Sequence, residues 1–179
     1  QVLIQASTSI GALYGANSFL AMLNPIIWKG GATSLTLPQV AIEDAPAFGY
    51  RGLFLDVARN FQSKDQVLKL LDLMSFYKLN VFHFNLANDE GWRIEIPGLP
   101  ELTQFGGRRG FSTHESEFLW PYYASGADPK KSPSGSGFYT AADFQEILKY
   151  AKDRHIEVIP ELGVPAHSRA AILAMEKRY

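Results

Sequence analysis

From Tyr50 onward, short apolar runs alternate with segments whose apolar residues recur at helical spacing. Gly52 to Asp56 is a short apolar run that predicts a strand. Ser63-Lys64-Asp65-Gln66 has the form of a capping box, in which the Ser and the Gln each satisfy a free amide at a helix start. Val67, Leu70, Leu71, Met74 and Tyr77 follow as one buried stripe. Leu79-Asn80 then leads into Val81 to Leu86, an apolar run broken only by His83 and Asn85 and short enough for a strand buried on both faces. Thr140-Ala141-Ala142-Asp143 caps a second helix with the stripe Phe144, Ile147, Leu148 and Ala151. Arg154-His155 connects it to a third buried strand, Ile156 to Pro160, and Ser168 caps a third helix. Strands and helices in this alternation predict an α/β fold with a parallel sheet and right-handed crossovers.

The first forty-odd residues carry a different pattern. Val2 to Ile4 reads as the tail of a strand, and Ile10 to Leu23 as a helix with Leu13, Ala16, Leu20 and Leu23 near helical spacing. Asn24-Pro25 ends that helix, because proline disfavours helical geometry in the residue before it. Gly30-Gly31 marks a turn, Ser34 to Leu37 and Gln39 to Ile42 pair as short strands, and Glu43-Asp44-Ala45-Pro46 is a linker. We therefore expect residues 1–46 to be the end of an upstream α+β domain, too small for a core of their own, and residues 47–179 to form the strand–helix unit. A start at Gln1 and an end inside the helical pattern Ala174 to Tyr179 read as a piece of a longer protein.

Composition narrows the function classes. Hydrophobic content of 46% and charged content of 20% describe a globular protein. A formal net charge of −1 offers no electrostatic case for nucleic acid or an anionic membrane. No apolar run approaches the ~20 residues of a membrane span. Without Cys there are neither disulfides nor thiolates, and His83, His114, His155 and His167 lie too far apart in sequence to suggest zinc. No Gly-rich phosphate loop is present either. No metal or cofactor is expected.

The chemistry lies at the strand ends. Val81 to Leu86 opens into Asn88-Asp89-Glu90-Gly91-Trp92-Arg93, a loop rich in carboxylates, amide and aromatic. Arg51 precedes the first strand, while Asp56, Arg59 and Asn60 follow it. Glu161 and His167 follow the third, in Pro160-Glu161-Leu162-Gly163-Val164-Pro165-Ala166-His167. In parallel α/β sheets and barrels, sites form outside the carboxyl ends of the strands. Each residue also has a plain structural reading: Arg51 pairing with Asp56, His167 capping the third helix. Three polar clusters at three successive strand ends argue for a site. The long connection from Ile94 to Phe138, with Phe118, Trp120, Tyr122 and Tyr123, exceeds ordinary loop length and reads as an ordered loop that packs or binds.

These residues resemble a specific family. Ala45 to Phe61, with Tyr50-Arg51-Gly52-Leu53-Phe54-Leu55-Asp56-Val57-Ala58-Arg59-Asn60, is similar to the entry of the catalytic barrel of glycoside hydrolase family 20, the β-N-acetylhexosaminidases and chitobiases. Lys78 to Arg93 resembles that family's second-strand motif and Pro160 to His167 its third, while Gly11 to Leu23 resembles the last helix of the domain before the barrel. The resemblance implies about the first three βα units of a (β/α)8 TIM barrel, preceded by the C-terminal part of a small α+β domain. It implies removal of terminal β-linked N-acetylglucosamine or N-acetylgalactosamine from glycans or chitooligosaccharides, in which the substrate's own acetamido oxygen attacks the anomeric carbon. Arg51, Trp92 and Glu161 would then bind the sugar, Arg51 through its planar fork of donors. His167, with Asn88 and Asp89, would position and tune the acid. By analogy with polymer-degrading relatives, the parent protein is expected outside the cytoplasm, secreted or periplasmic.

The sequence departs from the family's pattern in two ways. The Asp-Glu pair that orients the acetamido group and protonates the leaving oxygen belongs to a later part of the barrel, so this chain alone is expected to be inactive. Locally, Asn85-Leu86-Ala87-Asn88-Asp89 stands where His-Leu-Thr-Asp-Asp is common, and Gly163 where another Asp is common. Asn88 would thus replace the acid that supports His167, with Asp89 next to it as a substitute. A noncatalytic carbohydrate-binding module on the same fold, or a barrel enzyme of another reaction type, are the other readings. An unpaired strand edge in a partial barrel also predicts self-association.

Overall fold

The computed structural model describes residues 1–30, 34, 36–123, 125–131 and 134–179. Its elements run α1 (Ser9–Ala21), a 3-10 turn (Pro25–Lys29), β1 (Gly52–Asp56), α2 (Lys64–Phe76), β2 (Val81–Asn88), β3 (Gly91–Trp92), α3 (Glu101–Gln104), α4 (Ala141–Lys152), β4 (Glu157–Leu162) and α5 (Arg169–Glu176).

β2 is the central strand, with β1 and β4 parallel on either side of it. β3 turns back antiparallel onto its end, pairing Ala87 with Trp92 and Asn88 with Gly91. Side chains alternate between the two faces of a strand. One face carries Leu53, Leu55, Phe82, Phe84, Leu86 and Val158, covered by Val67, Leu71 and Met74 of α2 and Ile147 and Ala151 of α4. Burial of these branched and aromatic side chains is what holds the helices to the sheet. The other face carries two rows in register, Phe54–His83–Ile159 and Asp56–Asn85–Glu161. The first row is left open, with Phe54 51% and Ile159 39% exposed.

Both helix starts form as the sequence predicts. Ser63 and Gln66 make a reciprocal capping box on α2, and Thr140 and Asp143 make another on α4. The stripes are narrower than expected: Tyr77 and Leu148 are exposed, because Tyr77 follows the last turn of α2 and Leu148 lies beside the stripe rather than in it. The second strand runs two residues further than its apolar run, through Asn88.

The amino-terminal segment differs more. α1 matches the predicted helix and ends at Ala21 with Met22 as its cap, and Asn24 starts the 3-10 turn that follows by accepting the Ile26 N–H. Val2 to Ile4 and Gln39 to Ile42 form no strands, and Val40 and Ile42 are exposed. The expected Gly30-Gly31 turn and Ser34 to Leu37 strand lie partly outside the described residues. α1 is tied to the sheet's amino end by polar contacts, Asn17 Nδ2 to the Ser75 carbonyl (2.8 Å) and Lys78 Nζ to Ser18 Oγ (2.6 Å).

The long connection is packed. Leu102, Phe105 and Leu119 join Ala170 and Ala174 of α5 in a second core. Arg93, fully buried, donates to five backbone carbonyls: Val57, Ala58, Gly107, Gly135 and Gly137, all at 3.0–3.2 Å. Arg109, also fully buried, donates to the carbonyls of Gly135 and Arg59. Burial pushes both guanidinium groups down, Arg93 to about 9 and Arg109 to about 10, and the mutual repulsion of their charges adds to the effect on Arg93. Both stay charged at neutral pH, held by carbonyl dipoles rather than by acids.

Candidate active site

The carboxyl ends of β1, β2 and β4 bring two polar groups side by side. The first centres on Arg59, just past β1. Its guanidinium meets Asp56 Oδ2 at 2.5 Å, Asn88 Oδ1 at 3.1 Å and Glu90 Oε2 at 3.2 Å. The hydrogen bond to Asp56 is the largest of the causes that raise its pKa, with the charges of Asp56 and Glu90 adding to it. Gly91 allows this close packing, since a Cβ there would sit 2.7 Å from the Ala58 carbonyl oxygen.

The second group centres on Asp89. Its Oδ2 lies 2.9 Å from His167 Nδ1, and its Oδ1 accepts the Arg169 N–H at 3.0 Å. The Arg169 amide, then His167, hold the Asp89 carboxyl below its ordinary range. The carboxylate fixes Nδ1 as the protonated nitrogen of neutral His167, which leaves Nε2 with a free lone pair. His167 itself has φ 55°, a left-handed conformation that a residue with a β-carbon adopts only where its surroundings impose it.

The contacts of several residues differ from those the sequence suggested. Asn88 does not support His167: it is buried, accepts from Arg59 and donates from Nδ2 to Asn85 Oδ1 at 3.4 Å, while Asp89 takes the His167 ring. Ser168 stands at the start of α5 but makes no side-chain cap; its hydroxyl donates to the Gly163 carbonyl at 2.9 Å, and Asp89 serves as the cap from across the sequence. Arg51 stands at the amino end of β1, away from the other candidates, and does not pair with Asp56. Its donors go to the carbonyls of Lys78 (2.7 Å) and Phe48 (2.6 Å) and to the Tyr14 hydroxyl (2.6 Å). Trp92 packs against the second core and donates its indole N–H to the Ile94 carbonyl at 2.6 Å. Glu161 faces the open side of the sheet with His83 Nε2 at 2.6 Å. A Cβ on Gly163 would meet the carbonyl oxygens of His167, Ala166 and Ala87 at 3.1–3.3 Å, so the turn after β4 is tight.

Arg59 has a signal in the sequence, since it follows a strand whose carboxyl end faces the site. Arg169 and Glu115 had none: their ion pair joins residues 54 apart.

The model of the glycosyl hydrolase family 20 catalytic domain matches residues 48–179. An N,N'-diacetylchitobiase of Vibrio harveyi is 49% identical over 178 residues, covering 99% of this chain and 19% of that protein. A beta-hexosaminidase B of Pseudoalteromonas piscicida is 47% identical over 176 residues, covering 98% of this chain and 22% of that protein. The chain therefore spans about a fifth of the length of these curated relatives. Among solved structures, a family 20 exo β-N-acetylglucosaminidase from Vibrio harveyi in complex with N-acetylglucosamine superposes with a TM-score of 0.77 at 35% identity, covering 96% of this chain and 25% of that one. The mostly parallel α/β sheet fits part of a TIM barrel on this likeness. No helix among the described residues is long and apolar enough to cross a membrane. The chain belongs to glycosyl hydrolase family 20.

Proposed function

We propose that this chain supplies the first three βα units of an exo-acting β-N-acetylhexosaminidase, with residues 1–46 ending an accessory α+β domain. The enzyme removes a terminal, non-reducing, β-linked N-acetylglucosamine or N-acetylgalactosamine from glycans or chitooligosaccharides, outside the cytoplasm. The observation that carries this reading is the Asp89–His167 pair at the strand ends, beside the Arg59 cluster.

In this reading the acetamido group of the substrate is the nucleophile, and an Asp-Glu pair from a later part of the barrel orients it and protonates the leaving oxygen. His167 takes a supporting role. Asp89 holds its Nδ1 proton, so Nε2 is the nitrogen turned toward the acid, where it accepts a hydrogen bond and tunes proton release. Arg59, rather than Arg51, is the better candidate for the sugar hydroxyls: it stands at the carboxyl end, about a third exposed, with its planar donors oriented by Asp56 and Asn88. Glu161 and Asn85 line the inner face of the sheet below it. Trp92 supports the rim through its packing. Arg51 joins α1 to the sheet.

Hydrolysis of nitrophenyl N-acetyl-β-glucosaminide by the full-length protein tests this. Arg59→Ala is expected to lower kcat/KM by about 100-fold, the value of charge-assisted hydrogen bonds lost from a bound sugar. Arg51→Ala is expected to lower thermal stability instead. The opposite pattern would return the sugar-binding role to Arg51, and sugar binding without turnover in the wild type would favour a noncatalytic module.

A further inference from the structure

An exposed aromatic on the long insertion is fixed in place beside the site. Trp120 is 52% exposed, yet its backbone N–H donates to Glu115 Oε1 at 2.7 Å, and the Arg169 guanidinium stands 5.7 Å from its ring centre. Both carboxylate oxygens of Glu115 are bound by Arg169, one of them at 3.1 Å. The residue before it, Leu119, is buried in the second core. Arg169 also gives its backbone N–H to Asp89. A continuous set of contacts therefore runs from the His167–Asp89 pair, through Arg169 and Glu115, to the indole.

A half-exposed indole, anchored by its backbone and by a cation near its ring, loses little freedom when something stacks on it. The Arg169 side chain beside it, 44% exposed, offers guanidinium donors that suit hydroxyl groups, while Glu115 holds that guanidinium in place. A flat C–H face bordered by hydroxyls is the signature of a pyranose ring, and protein partners would want a broader apolar area than one indole in a charged frame. We propose that Trp120 is a subsite for the sugar on the leaving-group side, the second residue of a β-linked N-acetylglucosamine oligomer. This rests on the hydrolase reading above. An exo-acting enzyme keeps only the terminal sugar on one side of the cleaved bond, so further rings of the substrate extend over the rim, where Trp120 stands.

The experiment compares N,N',N''-triacetylchitotriose with methyl N-acetyl-β-glucosaminide, whose leaving group has no ring, as substrates of the full-length protein. Trp120→Ala is expected to lower the ratio of kcat/KM for chitotriose to that for the methyl glycoside by about tenfold, mostly through KM, with Trp120→Phe keeping most of the wild-type ratio. Trp120→Gln, polar and suited to an exposed position, is expected to lose the ratio as Trp120→Ala does. Wild-type activity on both substrates with an unchanged ratio in both ring-less variants overturns the inference and leaves the hydrolase reading standing. A wild type that cleaves neither substrate overturns both.

Discussion

Asp89 caps α5 from 80 residues away: its Oδ1 takes the Arg169 N–H at 3.0 Å while Oδ2 holds His167. One carboxylate thus anchors the helix that follows β4 and orients the imidazole beside it. Asp89→Asn keeps an acceptor for the amide but loses the charge. It is expected to destabilise the protein by about 0.5–1 kcal/mol at pH 7, the usual worth of a negative charge at a helix amino end. Because the carboxyl is held below its ordinary 3.8, its contribution is full above that value and fades as pH falls through the lower native one. The gap between wild type and variant, measured by urea unfolding, should therefore close as pH falls below about 3.8. A gap that is constant with pH would assign the loss to packing instead.

Asn88 makes the complementary case. An Asp there would face Asn85 Oδ1 with a second acceptor where Nδ2 now donates. Asn88→Asp is expected to cost about 1 kcal/mol through that lost donor. In the full-length protein it should leave the pH profile of hydrolysis in place, since Asn88 does not touch His167; Asp89→Asn should shift that profile. A shifted profile in Asn88→Asp would restore the link to His167.

How much of this was legible in the sequence depended on distance along the chain. The capping boxes Ser63–Gln66 and Thr140–Asp143 are local, and both formed as read. The three strands were located, but β2 and β4 each run two residues past the predicted end, which puts Glu161 inside β4. Choosing between Asn88 and Asp89 required knowing that β2 runs on through Asn88 before the chain turns. Adjacent side chains leave an extended chain in different directions, so one residue of strand length decides which of them reaches His167. Arg51 and Arg59 could have been separated by strand direction alone, since the first precedes β1 and the second follows it. Arg109 had no local signal, because a buried cation that donates to carbonyls has no acid at a telling spacing.

Arg93 should be among the least replaceable residues. Arg93→Lys removes the planar fork and leaves several of five carbonyls without a donor, so a loss of about 3 kcal/mol or more is expected in chemical denaturation. A loss under about 0.5 kcal/mol, the scale of a surface change, would mean that water replaces those bonds freely.

A polypeptide of residues 1–179 expressed alone is expected to show no turnover of nitrophenyl N-acetyl-β-glucosaminide, because the acid pair of the proposed mechanism lies elsewhere in the barrel. Its open row of Phe54 and Ile159, with β1 and β4 as sheet edges, should drive self-association in light scattering. A monodisperse monomer with a cooperative, high-temperature melt would count against that expectation, and turnover lost in Arg59→Ala would count against the first.

Both buried arginines grip the insertion by its main chain. Arg93 and Arg109 bond to carbonyl oxygens of Gly107, Gly135 and Gly137 and, on the barrel side, of Val57, Ala58 and Arg59. Carbonyls are the same in every residue. The path of the loop is thereby decoupled from most of its side chains, so the rim it presents can be rewritten, residue by residue, without rebuilding the fold beneath it.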